Sequence, residues 1–169
     1  MLRLLKYTAI AVFAVATVAI SPQSLFAAES MTDARAQDTV AIQQLIVKYA
    51  HVYDSLDVEG YVSVFAEDAQ FTFTGNTLNG REEIRKFITG AKQRKASTPA
   101  AAPAIKSYHS ISNTLIEFDS ASVAHQSSYW QVLSGPAAGP FTVTGMGIYE
   151  DVLTKRNGQW LIQKRNISQ

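Results

Sequence analysis

The segment Ala41–Asp54, AIQQLIVKYAHVYD, defines the first element of the fold. Its apolar side chains recur at intervals of three and four residues, at Ile42, Leu45, Ile46, Tyr49 and Tyr53. This spacing places them in one stripe along an amphipathic helix. The pattern predicts a helix from about Asp38 to Asp54, with the Asp38 side chain capping its first turn.

The next segment continues as helix and then changes period. Asp57 is placed to cap a second helix. The apolar stripe of that helix comprises Val58, Tyr61, Val62 and Phe65. In Gln70–Thr74, polar and aromatic residues alternate, which is typical of a half-buried strand. A turn over residues 75–80 and a short helix over Glu82–Ile88 follow.

The C-terminal part of the chain is nearly all strand. Four consecutive antiparallel strands are predicted at Tyr108–Phe118, Ser122–Leu133, Phe141–Leu153 and Trp160–Ile167. Long strands with helices packed on one face curl strongly. We therefore predict an α+β fold, in which a curved, mostly antiparallel sheet wraps round the N-terminal helices as a cone with an internal pocket (an α+β barrel). Lys95–Pro103, rich in Ala, Ser, Thr and Pro, is predicted to be a mobile surface loop, with a lid over the pocket as the alternative.

The composition limits the chemistry that the chain can perform. With 169 residues, 47% hydrophobic and 17% charged, it suits one packed domain rather than a disordered chain. The balance of 15 Lys+Arg against 14 Asp+Glu gives no basic patch for nucleic acid. Cysteine is absent from the sequence, which excludes a disulfide framework, a thiolate metal site and a cysteine nucleophile.

The N-terminus has the pattern of a secretory signal peptide. Arg3 and Lys6 precede the apolar run Tyr7–Ile20, and small residues follow as far as Ala28. We predict a signal peptide over residues 1–28, cleaved after Ala27 or Ala28, with an uncleaved membrane anchor as the alternative. A single domain over residues 36–169 would then work in the periplasm or outside the cell, without membrane contact.

Four polar residues are candidates for chemistry. His51 lies opposite the apolar stripe of the first helix and is predicted to be a solvated surface residue. His109 opens a long strand beside hydrogen-bonding residues, whereas His125 lies in a Ser-rich strand and could face either side. Asp54 ends the first helix, where the helix dipole disfavours a carboxylate, so it is either solvated or paired with a donor.

Several segments together carry a family resemblance. They are Ala41–Asp54, Asp57, Phe65–Ala69, Gly80–Ile84, Gly147–Asp151, Asn157–Ile162 and Lys164–Arg165. In their order and spacing they resemble the SnoaL-like branch of the nuclear transport factor 2-like superfamily. The likeness covers nearly all of the chain after the predicted signal peptide. It is specific for the fold rather than for an activity, because this fold carries both enzymes and binding modules.

The resemblance also implies a catalytic site. The pattern is similar to those of scytalone dehydratase, bile-acid 7α-dehydratase and hexachlorocyclohexane dehydrochlorinase, which pair an Asp at the end of the first helix with a His on the first long strand. The matching residues are Asp54 and His109, and Tyr49 matches a tyrosine of the bile-acid enzyme. A second histidine of scytalone dehydratase falls near Gln131, where this chain has none. An arginine expected near the last strand could be Arg165.

The implied chemistry is proton transfer without a cofactor. His109 would remove a proton from carbon, Asp54 would hold the imidazole in one tautomer, and Tyr49 would stabilise developing negative charge. No metal is expected, because one His and one Asp fall short of a metal ligand set. No nucleotide is expected either, because the sequence has no glycine-rich phosphate loop. The predicted activity is that of a dehydratase-type lyase or an isomerase acting on a small, mostly apolar, cyclic substrate.

The substrate pocket is expected to include Tyr53, Phe73, Tyr129, Gln131 and His125. Two alternatives to the dyad enzyme remain open. One is a non-catalytic secreted module that binds a small molecule or associates with a partner. The other is an isomerase of the ketosteroid type, in which an Asp acts as the base without a histidine.

The broad outer face of the sheet predicts association of two chains, so a homodimer or a larger assembly is expected. The residues on each face depend on the register of the strands. With Phe118 opposite Ala121, Trp130 would face His109. A one-residue bulge would bring Tyr129 and Gln131 there instead.

Overall fold

The computed structural model describes residues 22–99 and 104–169, with side chains described from residue 32 onward. The chain divides into two units, Met1–Ala34 and Arg35–Gln169. Residues 1–21 of the predicted signal peptide lie outside the described residues. No helix in the described ranges combines the length and the apolar character needed to cross a membrane.

The first helix, α1, begins well before the predicted position. It spans Pro22–Asp54, so its end agrees with the prediction, but Asp38 lies in its interior and the predicted cap is wrong. Asp38 is only 7% exposed, and its Oδ1 accepts hydrogen bonds from Lys155 Nζ at 2.6 Å and Trp160 Nε1 at 2.9 Å. Asp38 therefore ties α1 to the sheet instead of starting the helix.

The second helix and the first hairpin follow directly. Helix α2 spans Val58–Ser63, and its predicted cap is confirmed because Asp57 Oδ1 accepts from the backbone N–H of Gly60. The predicted stripe extended one element too far, since Phe65 begins strand β1. Strands β1 (Phe65–Phe73) and β2 (Asn76–Asn79) pair antiparallel across Thr74 and Gly75, both at positive φ. Positive φ at both loop residues is typical of a tight hairpin.

Helix α3 is longer than the sequence pattern indicated. It spans Gly80–Ala96, and its residues Ile84 and Ile88 are fully buried. The predicted loop over Lys95–Pro103 therefore begins two residues too early, because Lys95 and Ala96 are helical. Residues 100–103 of that loop lie outside the described residues.

The sheet has six strands in the order β2-β1-β6-β5-β4-β3. The four long strands are β3 (Ile105–Phe118), β4 (Val123–Pro136), β5 (Thr142–Arg156) and β6 (Gln159–Ser168). They pair antiparallel in sequence order, as predicted, while β1 and β6 run parallel. The α+β class and the curved sheet are confirmed. Over the part of the chain that the structure describes, the sheet does not close into a barrel, because β2 and β3 remain its edges.

The register between β3 and β4 differs from the prediction. Phe118 pairs with Ala124 rather than Ala121, and the pairing shifts again between Ser112 and Leu115. Asn113, at a φ of 53°, lies in this irregularity. As a result His109 pairs with Val132, and Trp130 pairs with Ile111. The longer turn after β3 and this bulge are the physical reasons for the difference.

Alternation along β4 separates the two faces of the sheet. Ala124, Gln126, Ser128 and Trp130 are buried, on the face that packs against the helices. The residues between them face outward, among them His125, Tyr129 and Gln131. Because the side-chain period in a strand is two, the register of this one strand decides which candidates reach the interior.

Candidate active site

An apolar cavity of about 200 Å³ lies between the helices and the inner face of the sheet. Most of its lining side chains are aromatic or aliphatic, and they include Tyr49, Tyr53, Phe73, Phe87, Trp130 and Tyr149. His109 also lines it. A cavity of this kind, apolar with a few convergent polar groups, suits a small organic molecule.

Asp54 and His109 are in direct contact at the wall of this cavity. Asp54 Oδ1 lies 2.5 Å from His109 Nδ1, and Asp54 Oδ2 accepts a hydrogen bond of 2.9 Å from the His109 backbone N–H. Their side chains are only 17% and 13% exposed, respectively. An ionised carboxylate only accepts hydrogen bonds, so the contact places a proton on Nδ1 and leaves Nε2 as the basic nitrogen.

The local fold explains why this pair forms. Asp54 is the last residue of α1, where unsatisfied carbonyl groups make a carboxylate unfavourable without a donor. Asp54 does not cap the following helix, because the cap of α2 is Asp57. His109 lies near the start of the edge strand β3 and supplies two donors to the carboxylate. The two donors of His109 on the edge strand therefore offset the unfavourable position of the Asp54 carboxylate at the end of the helix.

Tyr49 lies behind the pair in a cluster of tyrosines. It is 2% exposed and lines the cavity, and its hydroxyl accepts a hydrogen bond of 3.1 Å from Tyr61. Because Tyr61 is the donor, the hydroxyl hydrogen of Tyr49 remains available to a ligand. Burial raises the pKa of Tyr61 well above its ordinary value, and that of Tyr53 is raised as well.

The sequence pattern did not predict the hydrogen bond from Tyr61 to Tyr49. The position of Tyr61 in the apolar stripe of α2 indicated only a core residue. Its spacing of twelve residues from Tyr49 spans two helices, and no periodicity within one helix relates the two hydroxyl groups. The aromatic composition of both stripes was the single signal that could have suggested the contact.

A buried ion pair supports the other side of Tyr49. Arg165 donates to Asp151 through Nε at 2.7 Å and through Nη2 at 2.5 Å, and both side chains are inaccessible to solvent. The guanidinium carbon lies 3.9 Å from the ring centre of Tyr49 and 4.3 Å from that of Tyr149. Burial opposes its charge, but Asp151 raises the pKa of Arg165. Burial also raises the pKa of Asp151, against the influence of Arg165.

The structure brings some of the predicted residues together and separates others. Tyr53 and Phe73 line the cavity with Tyr49 and His109, and the ring centres of Tyr53 and His109 are 4.9 Å apart. Tyr129 and Gln131 do not reach the cavity. Both point to the outer face of the sheet, and Tyr129 is 51% exposed. The register of β4 therefore places both side chains outside the cavity, contrary to the prediction.

The two remaining histidines lie away from the cavity. His51 is exposed on α1, as predicted. His125 Nε2 lies 2.8 Å from Asp119 Oδ2 on the outer face, beside a groove lined by Glu117 and Glu150. His125 therefore also lies outside the cavity, contrary to the prediction. Within residues 22–99 and 104–169, no group of three or more His, Asp or Glu side chains is arranged to hold a metal ion.

Comparisons with known proteins agree with this architecture. The model of the SnoaL-like domain family matches residues 34–166. No curated protein matches the sequence significantly. Among solved structures, a variant of a protein of unknown function from Mycobacterium tuberculosis superposes with a TM-score of 0.68 at 28% identity, over 81% of this chain and 74% of that one.

Two further solved structures share the fold at lower identity. A candidate scytalone dehydratase from Novosphingobium aromaticivorans has a TM-score of 0.66 at 22% identity, over 82% of this chain and 89% of that one. A Catenulispora acidiphila protein in complex with S-DNPA has a TM-score of 0.65 at 24% identity, over 78% and 92%. Other matching structures are described as cystatin-like or nuclear transport factor 2-like.

Proposed function

The chain belongs to the SnoaL-like domain family, and we propose that it is a cofactor-free lyase or isomerase with an Asp–His dyad. The observation that carries the proposal is the contact between Asp54 and His109 at the wall of an apolar cavity. A carboxylate that holds an imidazole in one tautomer is a recurrent arrangement for general-base catalysis.

The reaction proceeds by removal of a proton from carbon. His109 Nε2 takes the proton, and the electron pair of the broken C–H bond forms a C=C bond or an enolate. Asp54 stabilises the imidazolium that results. In a dehydration, the imidazolium returns the proton to the leaving hydroxyl, which departs as water. In an isomerisation, it returns the proton to another carbon of the substrate.

Tyr49 provides stabilisation for the charge that develops. Its hydroxyl accepts from Tyr61, which makes its own O–H a better donor because hydrogen bonds in a chain polarise one another. A carbonyl oxygen of the substrate that accepts from Tyr49 gains negative charge as the proton leaves carbon. A donor placed in advance at this position lowers the barrier.

The substrate is a small, mostly apolar molecule that contains a ring. The aromatic walls formed by Phe73, Phe87 and Trp130 favour flat or cyclic bodies, because aromatic groups pack well edge to face and offset. Among the structural relatives, the Catenulispora acidiphila protein was solved with a small molecule bound, which supports ligand binding by this fold.

A generic proton-transfer probe tests the proposal without the natural substrate. 5-Nitrobenzisoxazole is a flat bicyclic molecule from which a base removes one C–H proton while the N–O bond breaks, giving a coloured phenolate. We expect the full-length protein to accelerate this reaction above buffer. His109→Ala should lower the rate by on the order of a hundredfold or more.

His51→Ala is the matched control, because His51 is an exposed histidine outside the cavity. Its rate should equal that of the unaltered protein. No acceleration above buffer, or equal rates for His109→Ala and His51→Ala, would favour the second candidate, a non-catalytic binding module. The same cavity supports that candidate, because its walls can hold a ligand without chemistry.

We also propose that two chains associate through the outer face of the sheet. Large apolar side chains are exposed there, namely Leu115, Tyr129, Val143, Met146 and Ile148. An exposed apolar patch on a sheet favours association. Light scattering at micromolar concentration should give the mass of a dimer for the unaltered protein and of a monomer for Met146→Glu. Val47→Glu, which alters an exposed apolar residue of α1, should remain a dimer.

The site of action follows from the N-terminal sequence pattern. We propose that the chain is exported and processed after Ala27 or Ala28, so that the enzyme works in the periplasm or outside the cell. Intact-mass measurement of protein recovered from the periplasm of an expressing bacterium should give a chain beginning at Ala28 or Glu29. Recovery of the unprocessed chain in the membrane fraction would contradict the proposal.

A further inference from the structure

A second cavity, which we call the vestibule, adjoins the dyad on the side away from the aromatic walls. Its volume is about 310 Å³, and it is lined by the end of α1, the last turns of α3 and the start of β3. Tyr53 and His109 line both this vestibule and the apolar cavity. The basic group proposed for catalysis therefore borders two compartments, of which the vestibule also contains Lys95.

The vestibule is lined by both apolar and polar side chains, and one of them is a cation. Lys95, in the last turn of α3, lines it together with Ser107 and the dyad. Within the described residues, Lys95 forms no ion pair. Arg94 precedes Lys95 in the helix. Burial raises the pKa of the vestibule residue Tyr53, and the positive charge of Arg94 partly offsets that rise. Two cationic side chains are thus within electrostatic reach of the vestibule.

The acidic groups nearby do not neutralise this charge. Among the described residues that line it, Asp54 is the one carboxylate, and it is held by His109. The glutamates of α3 lie in its first turn, at the other end of the helix, where Glu83 accepts from the Asn79 backbone and Glu82 pairs with Arg85. The ammonium group of Lys95 therefore remains available to an anion.

We propose that the vestibule is an anion subsite, and that the substrate is an acid whose apolar ring occupies the inner cavity while its carboxylate meets Lys95. This inference rests on the proposed function and narrows its substrate class. A carboxylate bound at Lys95 would fix the ring relative to His109, because the two compartments meet at that side chain. Positioning of this kind brings the C–H bond to the base.

Binding of a matched pair of probes tests the subsite. 2-Naphthoate and 2-naphthamide have the same ring system and nearly the same shape, but only the first is charged at neutral pH. We expect calorimetric titration of the full-length protein at low salt to give a dissociation constant for 2-naphthoate about two- to fivefold below that for 2-naphthamide. The preference should shrink in 0.5 M NaCl.

Variants of α3 locate the source of the preference. Lys95→Gln should remove it by weakening 2-naphthoate alone, and Lys95→Arg should retain it. Lys92→Gln is the control, because Lys92 is an exposed cation of the same helix that does not line the vestibule. Thermal melts of the three variants should match that of the unaltered protein, since both lysines are exposed.

The outcomes separate this inference from the proposed function. Equal affinities for the two probes, or a preference that survives in Lys95→Gln, would overturn the anion subsite while leaving the dyad chemistry intact. A preference that depends on Lys95 in a protein inactive toward 5-nitrobenzisoxazole would uphold the subsite and reject the proposed catalysis. Failure of both probes to bind would overturn the subsite together with the proposed binding of a ring in the inner cavity.

Discussion

The carboxylate of Asp54 lies within hydrogen-bond distance of two nitrogens of His109, the ring Nδ1 at 2.5 Å and the backbone N–H at 2.9 Å. The second bond ties the position of Asp54 to the main chain of β3, so the carboxylate is fixed even when the ring moves. The residues are 55 positions apart in the chain, and the contact joins the end of α1 to an edge strand. This geometry leads to the first prediction.

Asp54→Asn should leave the imidazole in place but remove its preference for one tautomer. An amide can donate as well as accept, so the Nδ1 proton is no longer favoured. We expect the rate with 5-nitrobenzisoxazole to fall on the order of a hundredfold. Nitrogen NMR of the His109 ring should change from one tautomer to a mixture. An unchanged ring spectrum accompanied by full activity would contradict the role assigned to Asp54.

The hydrogen bond between Tyr61 and Tyr49 should be measurable as a coupling. Each of Tyr49→Phe and Tyr61→Phe should lower the free energy of unfolding by about 1 kcal/mol, since each removes one partner of a buried bond. The double variant should lose less than the sum of the two, by at least about 0.5 kcal/mol. Denaturant unfolding of the four proteins provides the cycle, and strict additivity would show that the bond contributes nothing.

The buried pair of Arg165 and Asp151 should tolerate joint replacement better than loss of one member. Asp151→Asn leaves a buried cation without its counter-charge, which typically costs about 3–5 kcal/mol of unfolding free energy. Replacing both residues by apolar side chains, Asp151→Leu with Arg165→Met, should cost much less. Chemical denaturation compares the variants.

Asp68→Asn is the control for that comparison, because it breaks an exposed ion pair with Arg156. Its melting temperature should stay close to that of the unaltered protein, since exposed pairs contribute little. If Asp151→Asn were as stable as Asp68→Asn, the buried pair would have no role in holding Tyr49 and Tyr149 in place.

The environment of Asp38 predicts a loss of stability in acid. Burial alone would raise the pKa of Asp38, but the hydrogen bonds from Lys155 and Trp160 hold it below its ordinary value. Because the folded pKa is the lower one, the contribution is fully present above the unfolded value of about 4 and is lost as the pH falls through the folded value.

Unfolding of the unaltered protein and of Asp38→Asn between pH 7 and pH 2 tests this assignment. The unaltered protein should be more stable at pH 7, and the difference should decrease below about pH 4. A difference that stays constant down to pH 2 would show that protonation of Asp38 is not linked to folding.

Local patterns in the sequence were sufficient for most of the secondary structure. The stripe from Ile42 to Tyr53 predicted the exposed and buried faces of the C-terminal half of α1, and the alternation in Gln70–Thr74 predicted a strand. These predictions held because burial of one face imposes its period directly on the chain. The start of α1 was missed, since the polar stretch before Asp38 has no such period.

The family resemblance, together with the sequence order of the elements, identified Asp54, His109 and Tyr49 as candidates. The three-dimensional structure was not needed for this, because each residue occupies a defined place in the sequence, at the end of a helix, at the start of a strand or on an apolar stripe. The contact between Asp54 and His109 is a tertiary fact. It depends on where the edge strand β3 passes the end of α1.

Local patterns could not predict which side chains of β4 face the cavity, because that depends on the pairing of distant strands. The register is fixed by the turn between β3 and β4, which is longer than a tight turn, and by a bulge at Asn113. A shift of one residue exchanges the two faces of a strand. Tyr129, Gln131 and His125 therefore point outward, while Trp130 points inward. Most of the elements and their order along the chain could be predicted from the sequence, because they follow from the local period of apolar residues. Long-range packing, which no local pattern records, sets the register of β4, the hydrogen bond from Tyr61 to Tyr49 and the place of Lys95 at the vestibule.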